Sequence, residues 1–307
     1  MKVEYAIIVK GRTRLEVLIE RFNTKLQAKF YIERSGGDFL DYEREHDNFH
    51  SALDMVQRKL SRTLKNKVVE RSFLPSFIFN KDQLVITVGQ DGILANAAKY
   101  VQGIPMIGVN PDPARYDGVL LPYTAESFLD GVEQVQNDTA QLRVVALAEA
   151  RLGDGQRLLA FNDLFIGIND HTSARYRISY KGAAEEQSSS GILVSTKAGR
   201  TGWLSSVFNM ANGINRLSNP KKLAKPRKFG EDELFFVVRE PFLSQRTKVD
   251  VACGSISMRL PLLVESLMPD RGVIFSDGIG SDHLDFNSGA VATIGLAKEK
   301  ASLVVPA

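Results

Sequence analysis

The residue with the clearest chemical potential is Asp91, in the turn Gly89-Gln90-Asp91-Gly92 between an apolar run and a helix-like segment. Glycines at a strand-to-helix turn let backbone N–H groups approach a phosphate, and the helix N-terminus adds a favourable dipole. A carboxylate in the middle of such a turn repels phosphate unless it binds a cation or takes a proton. The turn therefore predicts phosphoryl chemistry with Mg²⁺ rather than simple dinucleotide binding. A structural alternative stands beside this one. Asp91 would cap the helix that follows, and Gly89 and Gly92 would supply positive φ to a tight turn.

Other residues of chemical interest are weaker signals. His46 and His50 are spaced i, i+4 on a predicted helix, the spacing of a metal-binding pair. No carboxylate set of known spacing accompanies them, so they are read as a solvated helix face. The remaining histidines, His171 and His283, are isolated. Cys253 is the single cysteine, which excludes an internal disulfide and a cysteine metal cluster. The densest basic run, Lys221 to Lys228, contains Pro226 and reads as a solvated loop, with an anion-contacting lid as the alternative.

The elements that must position these residues follow from periodicity. Val3 to Val9 is a strand candidate. Thr13 and Glu16 match a capping box, with Leu18, Phe22, Leu26 and Phe30 following as one apolar stripe. Phe49, Leu53, Val56, Leu60 and Leu64 form a second stripe. Strands recur near Val68 and at Leu84 to Val88, then a helix over Ile93 to Val101 and a strand over Ile104 to Val109. This β-α-β rhythm favours a mostly parallel sheet covered by helices.

From about Leu142 the texture changes to short strand-like runs. They are Arg143 to Ala148, Leu158 to Phe161, Arg175 to Tyr180, Ile192 to Ser195, Leu234 to Val238, Lys248 to Ala252, Ser255 to Leu260, Val273 to Phe275 and Ala290 to Ile294. Such runs predict antiparallel β structure. The expected domains are 1–140, α/β, with 295–307 as a candidate completion, and 141–294, β-rich. The boundary is expected between Asn137 and Gln141, where polar residues cluster.

Bulk properties narrow the partners. The chain has 307 residues, 44% of them apolar and 24% charged, which is ordinary for a globular protein. A net charge of +3 is too small to argue for a polyanion without a clustered face. No apolar stretch approaches the roughly 20 residues of a membrane helix. The N-terminus looks like a first strand and not a signal or transit peptide. A cytoplasmic protein without nucleic-acid or membrane partners is expected.

Taken together in order, several segments resemble the NAD kinase family, most nearly the branch that includes the mitochondrial NAD kinase of animals. Gly89-Gln90-Asp91-Gly92 stands against the family's GGDG. Gly108-Val109-Asn110-Pro111-Asp112-Pro113 stands against GVNTDP, and Asn162 to Gly167 against NEVFIG. The segment Ser189-Ser190-Gly191 through Trp203, then Arg239-Glu240-Pro241, then Phe286 to Ala290 against FNDGA, complete the series. The likeness spans about Leu84 to Ile294, and the first eighty residues share only its rhythm.

The resemblance implies an N-terminal Rossmann-like α/β domain that binds nucleotide and a C-terminal antiparallel β-sandwich-like domain that binds dinucleotide, the fold shared by NAD kinases and diacylglycerol kinases. It implies transfer of the ATP γ-phosphoryl, with Mg²⁺, to the 2′-hydroxyl of NAD's adenosine ribose, and a homo-oligomer, dimer or tetramer. Asp91 matches the catalytic aspartate, which accepts the proton of the ribose hydroxyl and holds it in line with the phosphoryl group. Gly89, Gln90 and Gly92 fall at phosphate contacts. Asn162 and Asp163 match an Asn-Glu pair that hydrogen-bonds the dinucleotide, with Asp163 one methylene shorter than the family glutamate. Ser195, Thr196, Gly199, Thr201, Trp203 and Ser206 lie in the segment similar to STPTGSTAY. Thr201 and Ser206 align with hydroxyls near the adenine, and Trp203 with an aromatic position suited to stacking on a base. Ser190 stands where bacterial members have aspartate and the mitochondrial branch has serine. Asp277-Gly278 resembles a late Asp-Gly, read as a structural turn.

Four departures fall on the chemical positions. Gln90 replaces the second glycine of GGDG, Ile93 a threonine, Ala198 a threonine and Arg200 a serine. Gln90 either donates an amide hydrogen bond or obstructs ATP. Lys197 and Arg200 add positive charge, and Arg200 is suited to pairing with a phosphate. The alternatives to a working NAD kinase are a catalytically impaired NAD(P) or nucleotide sensor on the same fold, and a lipid or sugar kinase of the same superfamily. The Trp203 segment and the Asn162-Asp163 pair argue against the last.

Overall fold

A computed structural model describes residues 3–218 and 229–306. The basic run Lys221 to Lys228 lies outside the described residues. The chain divides into two compact units, one of residues 1–144 with 301–307 and one of residues 145–300.

In the first unit, β1 (Tyr5–Lys10) is a central strand whose apolar middle, Ala6 to Val9, is buried. Thr13 then closes the capping box of α1 (Arg14–Phe22): its hydroxyl accepts from Glu16 N at 3.2 Å, and Glu16 Oε2 accepts from Thr13 N at 2.7 Å. The expected continuous stripe through Leu26 and Phe30 is broken. Asn23 takes φ 65° and ends α1, and Thr24 caps a separate helix, α2 (Lys25–Arg34), on which Leu26 and Phe30 are exposed. Asparagine tolerates the left-handed region and threonine caps well, so this dipeptide overrides the apolar spacing.

The long α3 (Phe39–Leu60) lays Phe49, Leu53, Val56 and Leu60 into the core. After it come β2 (Lys65–Glu70), β3 (Gln83–Val88), α4 (Asp91–Ala98), β4 (Pro105–Asn110), β5 (Tyr123–Thr124) and α5 (Phe128–Gln136). The strands run parallel in the order β2-β1-β3-β4, and β5 pairs with the end of β4. Ile8, Leu84, Ile86, Ile107 and Val109 meet the α3 stripe and Phe128 and Val132 of α5. Each large apolar side chain buried this way contributes about 1.5–3 kcal/mol.

The second unit carries β6 (Gln141–Leu152), β7 (Arg157–Ala160), β8 (Asp163–Ile168), β9 (Ala174–Tyr180), β10 (Ala183–Ser189) and β11 (Ile192–Ser195). After α6 (Trp203–Ser218) come β12 (Leu234–Val238), β13 (Cys253–Ile256), β14 (Leu262–Ser266), β15 (Gly272–Ser276), β16 (Ile279–Asp285) and β17 (Val291–Val305). The chain crosses the unit boundaries within β6 and β17, and the end of β17 pairs in parallel with β4. One antiparallel layer has the order β10-β9-β14-β17, with β6 on β17 and β7 on β6. The other has the order β13-β12-β11-β8-β15-β16. Tyr176, Ile178, Val264 and Ile294 share one buried cluster with Ile166, Val194, Phe236 and Ile274.

Two strand expectations fail here. Lys248 to Ala252 is irregular, although Ala252 O accepts from Val238 N at 2.8 Å. The alternating run Ser255 to Leu260 is a strand only to Ile256. Ser257 and Leu260 then exchange both backbone hydrogen bonds in a tight turn, so Met258 is exposed.

Candidate functional site

The turn between β3 and α4 has one glycine that the backbone requires. Gly89 has φ 148°, and a Cβ there would stand 3.0 Å from Ile93 Cγ1. Ile93, in place of threonine, packs its side chain against this spot and against Gly11, where a Cβ would meet its Cδ1 at 2.5 Å. Gly92 differs: it is exposed in the first turn of α4, and a Cβ there meets nothing within 4 Å. It has no positive φ, contrary to the tight-turn alternative.

Asp91 does not cap α4. Gln90 holds the N-cap position, exposed and without a side-chain capping bond. The Asp91 carboxylate reaches sideways to the segment after β4, accepting from Val119 N at 3.2 Å and Leu120 N at 3.0 Å. Asn110 shapes that segment: its Nδ2 donates to Tyr116 O at 2.9 Å and its Oδ1 accepts from Asp112 N at 3.0 Å.

This turn borders a cleft of about 280 Å³ lined by Gly89, Gln90, Gly92 and Ile93 together with Gly11, Arg12, Arg14, Arg71, Asp112 and Tyr116. The sheet order explains the cleft. From β1 the chain goes to β2 on one side and later to β3 on the other, so the loops after β1 and β3 diverge at a topological switch point. Ligands of parallel sheets bind in the crevice beyond such strand ends.

The three cleft arginines were missed in the sequence. Arg12 and Arg14 follow β1 directly in Gly11-Arg12-Thr13-Arg14, and Arg71 follows β2. Basic residues at a helix N-terminus oppose the dipole, and that misfit was the available signal. Arg12 pairs with Glu20 and with Glu70 at 2.8 Å. Arg14 pairs with Glu45 and with Asp41 at 2.9 Å, and Arg115 reaches Asp41 at 2.7 Å. The guanidinium of Arg115, then that of Arg14, holds the Asp41 carboxyl well below the usual range.

In the second unit a separate knot forms around Asp277, which has φ 53°. Its carboxylate accepts from the backbone N–H of Phe161 at 3.0 Å, Asn162 at 2.6 Å and Asp163 at 3.3 Å. Thr196 ties in from β11's end: its N donates to Asn162 O at 2.9 Å and its hydroxyl to Phe161 O at 2.6 Å. Gly199 is required by close approach, since a Cβ there would lie 2.2 Å from Asn162 O. Asp163 is buried, and burial, followed by the charge of Asp277, pushes its carboxyl up to about 7. At neutral pH this side chain is poised both to donate and to accept. Asn162 beside it is half-buried.

Trp203 is half-buried at the start of α6. Phe165 lies parallel to the indole at 5.7 Å, and the Arg239 guanidinium is 5.3 Å from the ring centroid. Ser190 N donates to Arg239 O at 2.9 Å. Arg200, Thr201 and Ser206 are exposed, and Lys197 pairs with Glu231 at 2.7 Å. The structure thus groups Asn162, Asp163, Thr196 and Gly199, places Trp203 with Ser190's neighbour Arg239, and leaves Arg200, Thr201 and Ser206 on the surface. Asp91, Gly89, Gln90 and Gly92 belong to the first unit.

No protein-family model matches the sequence, and no curated protein matches it. Solved structures do match. Yeast NADH kinase complexed with NADH aligns with a TM-score of 0.60 and 11% identity over 100% of this chain and 85% of that one. An NAD kinase from Archaeoglobus fulgidus in complex with ATP aligns with a TM-score of 0.55 and 14% identity over 98% and 93%. The chain has the NAD kinase fold. An α/β unit and an antiparallel β unit, as the sequence predicted, are the two parts of the NAD kinase fold in this chain.

Proposed function

We propose that the chain is an NAD kinase, moving the γ-phosphoryl of ATP to the 2′-hydroxyl of NAD's adenosine ribose. The observation that carries the reading is an acidic glycine turn at the switch point of an NAD kinase fold, beside a cleft lined by three arginines. Arg12, Arg14 and Arg71 suit phosphate oxygens, since guanidinium forks match phosphate geometry. Gly92 leaves the first turn of α4 open to the same oxygens. Magnesium bound with ATP would neutralise charge on the phosphates, and the cleft fits it: Mg²⁺ needs only one or two protein carboxylates, and Asp112 lines the cleft.

Asp91 takes the proton from the ribose hydroxyl in this reading. Two backbone N–H groups occupy part of its carboxylate, and an ionised carboxylate has about four acceptor sites. In the second unit, Asn162 and Asp163 offer the donors and acceptors that a dinucleotide needs. Ser190 and Trp203 are the residues that support a likeness to the mitochondrial branch. A cytoplasmic homo-oligomer belongs to the same proposal. Among the described residues, no helix is long and apolar enough to cross a membrane.

The engaged carboxylate of Asp91 and the side chain of Gln90 in the cleft favour a second reading, a dinucleotide sensor without turnover. Incubation with NAD, ATP and Mg²⁺ separates the two. NADP formation that Asp91→Ala abolishes supports the kinase. Retained NAD or NADP affinity with no turnover supports the sensor. Absence of dinucleotide affinity overturns both.

A further inference from the structure

A second chemical cluster lies where α1 meets α3. The sequence leaves His46 and His50 as a solvated helix face for want of a carboxylate. The fold supplies one: Glu16, the capping-box glutamate of α1, lies with its Oε1 3.0 Å from His50 Nε2. One ligating atom from each of Glu16, His46 and His50 lies within 4.8 Å of the other two. We infer that Glu16, His46 and His50 form a binding site for a divalent transition metal of the zinc type, with water completing the coordination.

The donor set is right for that class of ion. Two imidazoles and one carboxylate are a common zinc set, whereas Mg²⁺ and Ca²⁺ prefer oxygen ligands. The spacing is close to what a tetrahedral site requires. Bonds of about 2.0–2.1 Å give ligand–ligand edges of roughly 3.3 Å. The Glu16–His50 contact, at 3.0 Å, is a few tenths of an ångström shorter than that edge, so a small side-chain adjustment opens it to the metal while rotation brings His46 in.

His46 is also oriented from behind. Its Nδ1 lies 2.9 Å from Thr13 Oγ1. In the tautomer that donates Nδ1–H to Thr13, Nε2 keeps its lone pair for a metal, the outer-shell arrangement usual for metal-bound histidine.

The local electrostatics agree. The imidazole rings are 4.3 Å apart. Burial, then the neighbouring His50, holds His46 below its ordinary value, which favours the neutral ring. Burial works to raise Glu16, but the Thr13 N–H, Lys10 and His50 outweigh it and keep the carboxylate ionised. Lys10 Nζ lies 3.8 Å from Glu16 Oε1 and must swing toward solvent, and the charge of Lys25 also acts on His46. Side-chain exposures of 34% for His50 and 24% for Glu16 leave an entry path. A metal here takes the place of the His50–Glu16 hydrogen bond and pins α1 to α3, next to the Arg12 and Arg14 of the cleft.

Titration of the full chain with Co²⁺ tests this directly. The expected result is one equivalent bound with the visible absorption of a four-coordinate ion, displaced stoichiometrically by Zn²⁺. His50→Ala and, separately, His46→Gln should each weaken binding at least tenfold while circular dichroism stays unchanged. His171→Ala and His283→Ala should leave it intact. Absence of stoichiometric Co²⁺ binding by the unmodified chain overturns the inference, as does binding that both cluster variants retain.

Discussion

Gly92→Ala separates the chemical role of the turn from its structural role. The position has no positive φ, and an added methyl meets nothing within 4 Å. Folding therefore has no reason to resist it. Alanine is favoured over glycine in a helix by about 0.8–1.0 kcal/mol, and at a first-turn position about 0.4–1 kcal/mol is realised. That corresponds to a melting temperature unchanged or raised by about 1–3 °C. Yet Gly92 lines the cleft, so the methyl stands where a phosphate would meet the backbone. Losing one charge-assisted hydrogen bond costs about 1.5–3 kcal/mol, a fall in kcat/KM of roughly 10- to 100-fold. Gly89→Ala is the contrast: it should lose stability as well, because φ is 148° and Ile93 is 3.0 Å away. Thermal unfolding alongside NADP formation reads both quantities. Gly92→Ala with undiminished kcat/KM would refute the phosphate role, and a clear drop in melting temperature would refute the open geometry.

Other outcomes follow from the second unit. Between pH about 4 and about 7 native Asp163 holds a proton that the unfolded chain has lost. Its contribution is full below the lower value and is lost as pH rises through the upper one, by up to about 1.4 kcal/mol per unit. Denaturant titrations should show Asp163→Asn gaining on the parent as pH rises across that window. Asp277→Ala leaves three backbone N–H groups without their acceptor. It should cost about 2–4 kcal/mol, read as a lower denaturant midpoint. Trp203 is the sole tryptophan, so dinucleotide binding should change its emission in a saturable way. A flat titration with a tightly bound ligand would remove it from the binding surface.

The parts legible in the sequence are those where local pattern and tertiary demand agree. The buried runs of β3, β11 and β12 and the capping box of α1 are of this kind. The strand-to-helix turn with Asp91 was visible because its glycines and acid are contiguous. Alternation misled at Ser255 to Leu260, where a tight turn closes after Ile256. The polar β10 (Ala183–Ser189) was not foreseen, since an edge strand is specified by its pairing with β9 and not by its own composition. The cleft arginines and the Glu16–His50 contact depend on segments brought together by the sheet order and the packing of α1 on α3. No spacing within one segment encodes them.

In the proposed function, Asp91 accepts the ribose proton during transfer of a phosphoryl group to NAD. Phosphorus NMR of the chain with NAD, ATP and Mg²⁺ tests it most directly, with Asp91→Asn in parallel. A growing 2′-phosphomonoester resonance is expected for the parent, and a rate lower by about 10²–10⁴ for the variant. Equal rates for the two proteins, or ATP consumed without that resonance, would contradict it.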